Sequence, residues 1–351
     1  MSLQTFSFPD PFELESGFVI PGYHLGYHTL GKMNDDQSNV VWIFHALTAN
    51  SNPVDWWPGL VGTGHFIDPE RFFIVCVNMP GSCYGSIGPF SSNPVTGSPY
   101  YHSFPFFTTR DMIRSYRHLK NFLGINKIKF GIGGSMGGQQ LLEWAIEEPD
   151  LFDHIVPIAT NAFHSSWGRA FNASQRHCIE LDPTWKLNDP GAGMNGMKVA
   201  RGLALISYRN PDTYNFYQED IDLNLLGPYK SESYQAYQGE KLAARFNAFS
   251  YYYLSQSMDS HNVGRGRAGI PAALNKIRAK THLIGIKSDL LFIEKEQIFL
   301  AENIPGALLY MIPSLYGHDG FLLEYDAISI ILNEFLKKEI TSPQPIVYTI
   351  H

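Results

Sequence analysis

The sequence predicts an α/β fold: a mainly parallel sheet flanked by helices, with a helical cap inserted into it. Three observations lead there. Apolar runs at residues 39–45, 72–78, 128–132 and 154–159 are nearly continuous, as in strands buried on both faces. Helical spacing between them, clearest at 109–123, implies right-handed crossovers and therefore parallel strands. After Thr160 the strand signal fades, and it returns only at 282–286 and 307–312.

Taken in order, residues 14–31 read as short strands separated by a Pro21-Gly22 turn. The apolar runs up to Ala159 then supply the first half of the sheet. Residues 161–270 are rich in Tyr, Asn, Ser, Gln and Arg and carry amphipathic helical patches at 197–208 and 239–246. They are expected to form a cap between two strands of one sheet, dividing the chain into a core (1–160 and 271–351) and a cap (161–270). A helix at 325–338 closes the fold, and the residues after about Lys338 read as a poorly ordered tail.

Composition narrows the functional classes. A chain of 351 residues with 44% apolar content can bury a sizeable core. Its net charge of −7 comes without acidic or basic blocks, which argues against nucleic-acid binding. No apolar stretch reaches the ~18 residues of a membrane span, and the first residues lack the pattern of a signal peptide. Cys76, Cys83 and Cys178 form no Cys-x-x-Cys pair and no zinc spacing, so no metal site is expected. Cys76, inside an apolar run, reads as core packing. These features suit a soluble, reduced, cytoplasmic protein.

One stretch carries chemistry. The run from Ile128 ends in Gly133-Gly-Ser-Met-Gly-Gly138, and a helical pattern from Gln139 stops before Pro149. This fits G-x-S-x-G in a strand–turn–helix context. Such a turn strains the serine backbone and needs small residues two positions before and after it. It projects the Ser135 hydroxyl outward and leaves the Met136 N–H at a helix start, where an oxyanion would form. By itself the pattern also fits an ordinary glycine-rich turn. A serine nucleophile needs a base and a group that orients the base, and in this arrangement they follow as acid, then His, on loops after later strands. Asp289, after the run ending at Ile286, and His318, after the run ending at Ile312, stand in those places. Asp289 also suits a helix cap, and the two roles are compatible.

Other groups fit less well. Asp319 is a poor orienting acid because it is the immediate neighbour of His318. His45 is out of order for the base but sits where it can shape the oxyanion loop, whose Leu47 N–H is the second expected donor. His164, His177 and His261 read as packing or surface residues of the cap. The loop 78–89 is dense in Gly and Ser, fitting either close backbone approach or a plain Ω-like loop. Together these residues indicate acyl transfer through a serine ester, without saying whether water or another nucleophile receives the acyl group.

Several motifs resemble the homoserine O-acetyltransferase family of the α/β-hydrolase fold. In the core they are His45-Ala-Leu-Thr48, Asp55-Trp-Trp-Pro-Gly-Leu60, Asn78 to Pro89, Gly133 to Gly138, Glu143-Trp-Ala145 and Tyr316-Gly-His-Asp-Gly-Phe-Leu322. In the cap they are Arg245-Phe-Asn-Ala248 and Asp259-Ser-His-Asn-Val-Gly-Arg265. The resemblance runs from about Phe12 to Leu336. It implies ping-pong transfer from acyl-CoA, through an acyl-Ser135, to the hydroxyl of L-homoserine, a step of methionine synthesis. His318 would act as base and acid, oriented by Asp289. Acetyl-CoA would be a co-substrate, with no cofactor. Arg201 and Asp319 would bind the carboxylate and ammonium of homoserine, with Arg209 as the alternative cation. Family members pair as dimers through the cap, which makes Phe249 and Tyr251 to Tyr253 interface or lid residues unless they belong to the core. Arg169 and Arg176 are possible CoA contacts. Ile87, Ser103, Asn247, Asn262 and Pro80 depart from the family pattern. Ile87 removes a hydroxyl near the expected pocket, and the two asparagines each remove a cap charge. Succinyl transfer, a serine acceptor, ester hydrolysis and a non-catalytic binding protein remain the competing readings.

Overall fold

Residues 2–337 and 347–349 are described by the computed structural model. The strands are β1 (Gln4–Phe8), β2 (Phe12–Glu13), β3 (Val19–Ile20), β4 (Tyr23–Leu30), β5 (Val40–Phe44), β6 (Phe73–Val77), β7 (Ile128–Gly134), β8 (Phe152–Ile158), β9 (Lys280–Ile286), β10 (Leu308–Ile312) and β11 (Val347–Thr349). β2 and β3 form a small antiparallel hairpin, and the other nine make one sheet in the order β1-β4-β6-β5-β7-β8-β9-β10-β11. Pairing is antiparallel at β1–β4 and β4–β6 and parallel from β6 to β11. Every expected strand is present. β1 was not foreseen, and β11 replaces part of the expected tail with a strand paired to β10. The other residues after Lys337 lie outside the described ones.

The continuous apolar runs have a direct cause. Trp42 and Phe44 of β5 pack on one side of the sheet with Tyr116 and Trp144, while Val41 and Ile43 pack on the other with Phe130 and Ile132. With helices on both faces, no position along such a strand meets water. The first face is covered by the helices Thr109–Phe122 and Met136–Glu147, the second partly by the helix Tyr325–Lys337. The helix Thr109–Phe122 begins with a capping box in which Thr108 and Asp111 exchange side-chain and backbone bonds.

Between Ile158 and Lys280 the chain forms helices joined by loops, with no strand among the described residues apart from one isolated bridge, Phe163 to Asn262. The principal helices there are Ser166–Glu180, Met194–Tyr208, Pro211–Gln218, Lys230–Ala243 and Ala248–Asp259. A buried charge network ties this region to the core. Glu143 is 1% exposed and bonds Arg110 at 2.6 Å and Arg267 at 2.5 Å, while Glu15 bonds Arg110 and Arg265 at 2.6 and 2.7 Å.

Candidate active site

All three residues expected for catalysis stand at carboxyl ends of strands, where parallel sheets place their ligands. Ser135 follows β7 at φ 57° and ψ −125°, a conformation rare for a residue with a side chain. Neighbouring bonds hold it there: its N–H donates to the Ile158 carbonyl at 2.9 Å, and the Thr160 hydroxyl donates to its carbonyl at 2.8 Å. The requirement for small flanking residues is literal. A Cβ on Gly133 would lie 2.6 Å from the carbonyl carbon of Gly137, so strand and helix meet backbone to backbone.

Asp289, after β9, accepts from His318 Nδ1 at 2.7 Å through Oδ2. Its Oδ1 accepts from the N–H groups of Leu291 and Phe292 at 2.7 and 2.9 Å. The carboxylate thus caps the following turn and orients the imidazole at once. Both side chains are buried, and Phe292 stacks on the His318 ring with centroids 5.0 Å apart.

Ser135 and His318 open into one cavity of about 390 Å³, lined also by Leu47, Arg201, Tyr208, Arg245 and Asp319. The loop holding Leu47 is fixed by His45. The Met79 N–H donates to His45 Nε2 at 3.0 Å, so the ring proton sits on Nδ1 and is donated to the Ala46 carbonyl at 2.9 Å. Burial pushes the His45 pKa down to about 4 and keeps the ring neutral. Because a trans peptide sets its C=O and N–H on opposite sides, tethering the Ala46 oxygen also sets the direction of the Leu47 N–H. Met136, the first residue of the helix Met136–Glu147, carries an N–H with no acceptor one turn earlier in its helix.

Arg201 and Asp319 supply opposite charges to the same cavity. Arg201 stands over the Tyr208 ring at 5.5 Å, the two being seven residues apart on one helix face. Burial raises the Asp319 pKa, while Arg209, Arg201 and His318 pull it down. Arg209 lines a neighbouring cavity and pairs with Asp319 at 3.0 Å. Tyr208 and Arg245 were not singled out as site residues in the sequence. Their signal was present, since Tyr208 ends the 197–208 pattern and Arg245 opens a family motif.

The remaining expectations divide into some that hold and some that need correction. Ile87 is 3% exposed in the apolar core and is absent from the cavity wall. Phe249 and Tyr251 are core residues. Tyr252 and Tyr253 are half-buried and pack against that core. Arg169 donates to the Asp259 carbonyl and Arg176 pairs with the Asp259 carboxylate at 2.7 Å, so both brace cap helices and neither lines the cavity. The 78–89 loop approaches its own fold closely: Asn78 bonds Ser51 and Tyr84, and the Ser86 hydroxyl donates to the Asn78 carbonyl. His164 and His261 are buried packing residues held well below the usual histidine pKa, at about 3, mainly by burial. His177 is exposed, and Cys76 is wholly buried. Among the described residues no helix is long and apolar enough to cross a membrane, and no His, Cys, Asp or Glu cluster is arranged to hold a metal ion.

Residues 39–325 match the family described as the alpha/beta hydrolase fold. The chain is 44% identical over 335 residues to the homoserine O-acetyltransferase of Cyclobacterium marinum, covering 95% of each. A homoserine O-acetyltransferase from Bacillus anthracis has a similar solved structure, with a TM-score of 0.88 at 24% identity over 97% of this chain and 99% of that one. An acetylester hydrolase from Corynebacterium glutamicum has a TM-score of 0.84 at 25% identity over 96% of each. The fold alone therefore does not separate transfer from hydrolysis. Sequence similarity along almost the whole length does, and the chain belongs to the homoserine O-acetyltransferase family of the α/β-hydrolase fold.

Proposed function

We propose that the protein transfers an acetyl group from acetyl-CoA to the γ-hydroxyl of L-homoserine in two half-reactions on Ser135. His318 takes the Ser135 proton as Oγ attacks the thioester carbonyl. The Leu47 and Met136 N–H groups receive the developing oxyanion. As the tetrahedral adduct collapses, the C–S bond breaks and His318 returns the proton to the departing CoA sulfur. The homoserine hydroxyl then gives its proton to His318 and attacks the acetyl-Ser135 ester, releasing O-acetyl-L-homoserine and restoring the serine. Asp289 holds His318 in the needed tautomer throughout.

The observation that carries this reading is the pairing of opposite charges with the nucleophile in one cavity: Arg201 and Asp319 beside Ser135 and His318. A hydrolase acting on a neutral ester has no use for such a pair, whereas a zwitterionic acceptor needs a cation for its carboxylate and an anion for its ammonium. Acetyl-CoA acts as a co-substrate, and the chemistry needs no cofactor. A cytoplasmic homodimer joined through the cap completes the proposal. Exposed apolar side chains on the cap, including Val199, Ile206, Phe216 and Tyr237, suit that contact.

Mass spectrometry after mixing with acetyl-CoA alone is expected to find an acetyl adduct on Ser135, discharged on adding L-homoserine. Release of CoA is expected to depend on homoserine. Equal release without it would make the protein a hydrolase, and faster turnover with succinyl-CoA or L-serine would reassign donor or acceptor.

A further inference from the structure

Two arginines approach Asp319 from different sides. Arg201 lines the catalytic cavity, whereas Arg209 lines a separate one of about 360 Å³ with Thr213, Tyr214, Tyr217 and Tyr316. From there Arg209 Nε reaches Asp319 Oδ2 at 3.0 Å, with its guanidinium 5.9 Å from the Tyr316 ring centre. The same cap stretch grips the loop that carries His318 and Asp319. Asn210 Nδ2 and the Thr213 hydroxyl both donate to the Leu315 carbonyl, and the Tyr217 and Tyr316 hydroxyls lie 3.2 Å apart. Gly317, at φ +62°, has no room for a side chain: a Cβ there would lie 2.9 Å from the Arg209 carbonyl carbon.

We propose that Arg209 is a positioning residue for the acceptor: it keeps the Asp319 carboxylate ionised and aimed at the ammonium of L-homoserine without touching the substrate. The inference rests on the reading of Asp319 as the ammonium site. Asp319 is surrounded by Arg209 and Arg201 from the cap, His318 on its own loop and Asp289 after β9, with the Tyr208 and Tyr214 hydroxyls nearby. Burial favours its neutral form, and a neutral acid cannot pair with an ammonium ion. Arg201 is shared with the substrate carboxylate, and His318 exchanges its proton with the substrates during the reaction. Arg209 alone faces Asp319 permanently and from outside the substrate's path.

The sign of the pH effect follows. A raised carboxyl pKa means that ammonium binding is complete above that pKa and lost as pH falls through it. Removing Arg209 raises the pKa further, so the acid-side loss of homoserine affinity moves to higher pH. Each unit below the pKa weakens binding about tenfold.

The test compares the wild-type chain with Arg209→Met, Arg209→Gln, Arg209→Lys and Asp319→Asn. Homoserine KM is measured at saturating acetyl-CoA from about pH 6 to pH 9, and acyl-enzyme formation is followed by the p-nitrophenolate burst from p-nitrophenyl acetate. Arg209→Met, and Arg209→Gln should the first variant unfold, are expected to shift the acid-side rise in homoserine KM to higher pH and to converge on wild type at the alkaline end. Their burst should stay near wild type, and Arg209→Lys should follow the wild-type profile. A KM raised equally at all pH values, an unchanged KM, or a lysine variant as impaired as methionine would overturn the inference. If Asp319→Asn leaves homoserine KM unchanged, the ammonium reading itself fails, whatever Arg209 does.

Discussion

The two halves of the site are built differently. On the core side, Ser135, Asp289 and His318 stand at the ends of β7, β9 and β10, so a sheet with fixed ~4.8 Å strand spacing sets their separations. On the cap side, Arg201, Tyr208 and Arg209 belong to helical segments held to the core by apolar packing and by side-chain bonds. Examples are Asn210 to the Leu315 carbonyl and Arg245 to the Tyr84 hydroxyl at 2.8 Å. In the proposed mechanism the sheet side makes and breaks an acyl ester, whichever acceptor arrives. In that mechanism Arg201 on the cap side, with Asp319 from the core loop, tells an amino acid from water. Transfer on this proposal draws its chemistry from the sheet side and its choice of acceptor from the seam where the cap meets the His318 loop.

Substitutions separate the halves most sharply where the effect is largest. Ser135→Ala is expected to lower acyl-enzyme formation and transfer together by about a million-fold in kcat. Retention of a homoserine-dependent rate above about a thousandth of wild type would remove the serine from the mechanism. Asp289→Asn should cost about 10⁴-fold in both half-reactions, because an amide presented to His318 Nδ1 favours the wrong tautomer. Rapid-quench measurement of the acetyl-enzyme checks this without involving homoserine. Arg201→Met should divide the halves: a homoserine KM higher by roughly 10- to 100-fold, from a lost charge-assisted bond, with the ester burst intact. Equal damage to both half-reactions would mean that Arg201 serves the chemistry and not the acceptor.

The same division governs what could be read from the residues. Continuous apolar runs such as 39–45 are legible because a strand buried on both faces has no polar position to confuse the pattern. Ser135, Asp289 and His318 are legible because chain order and strand ends restrict where partners can lie. β1 was missed because its alternation lies in five residues at the chain start, and β11 because only its pairing with β10 makes it a strand. The cap resisted for another reason. Arg169 and Arg176 look like free cations in the sequence, and their partner Asp259 lies far along the chain on another helix. Arg209 looked like a substitute for Arg201, yet its ion pair with Asp319 spans more than a hundred residues and places it behind the acid. Long-range pairing of charges leaves no local pattern to read.

Asn247 carries the smallest and most discriminating prediction. In the family motif this position is an aspartate, so its replacement suggests a lost charge and altered substrate choice. In the fold, Asn247 is the N-cap of the helix Ala248–Asp259, and its Oδ1 accepts from the Ser250 N–H at 2.8 Å. Asparagine and aspartate satisfy that N–H about equally well. Asn262 behaves alike, its Oδ1 accepting from the Gly264 N–H at 2.9 Å. Neither residue lines the catalytic cavity. Asn247→Ala should therefore destabilise the protein by about 1 kcal/mol in urea unfolding, while Asn247→Asp stays within about 0.5 kcal/mol of wild type. Both should leave the preference for homoserine over serine unchanged. A shift in that preference with Asn247→Asp would show that a charge outside the cavity wall selects the acceptor. The clean division between a chemical sheet side and a selective cavity face of the cap would then have to include the helix ends behind it.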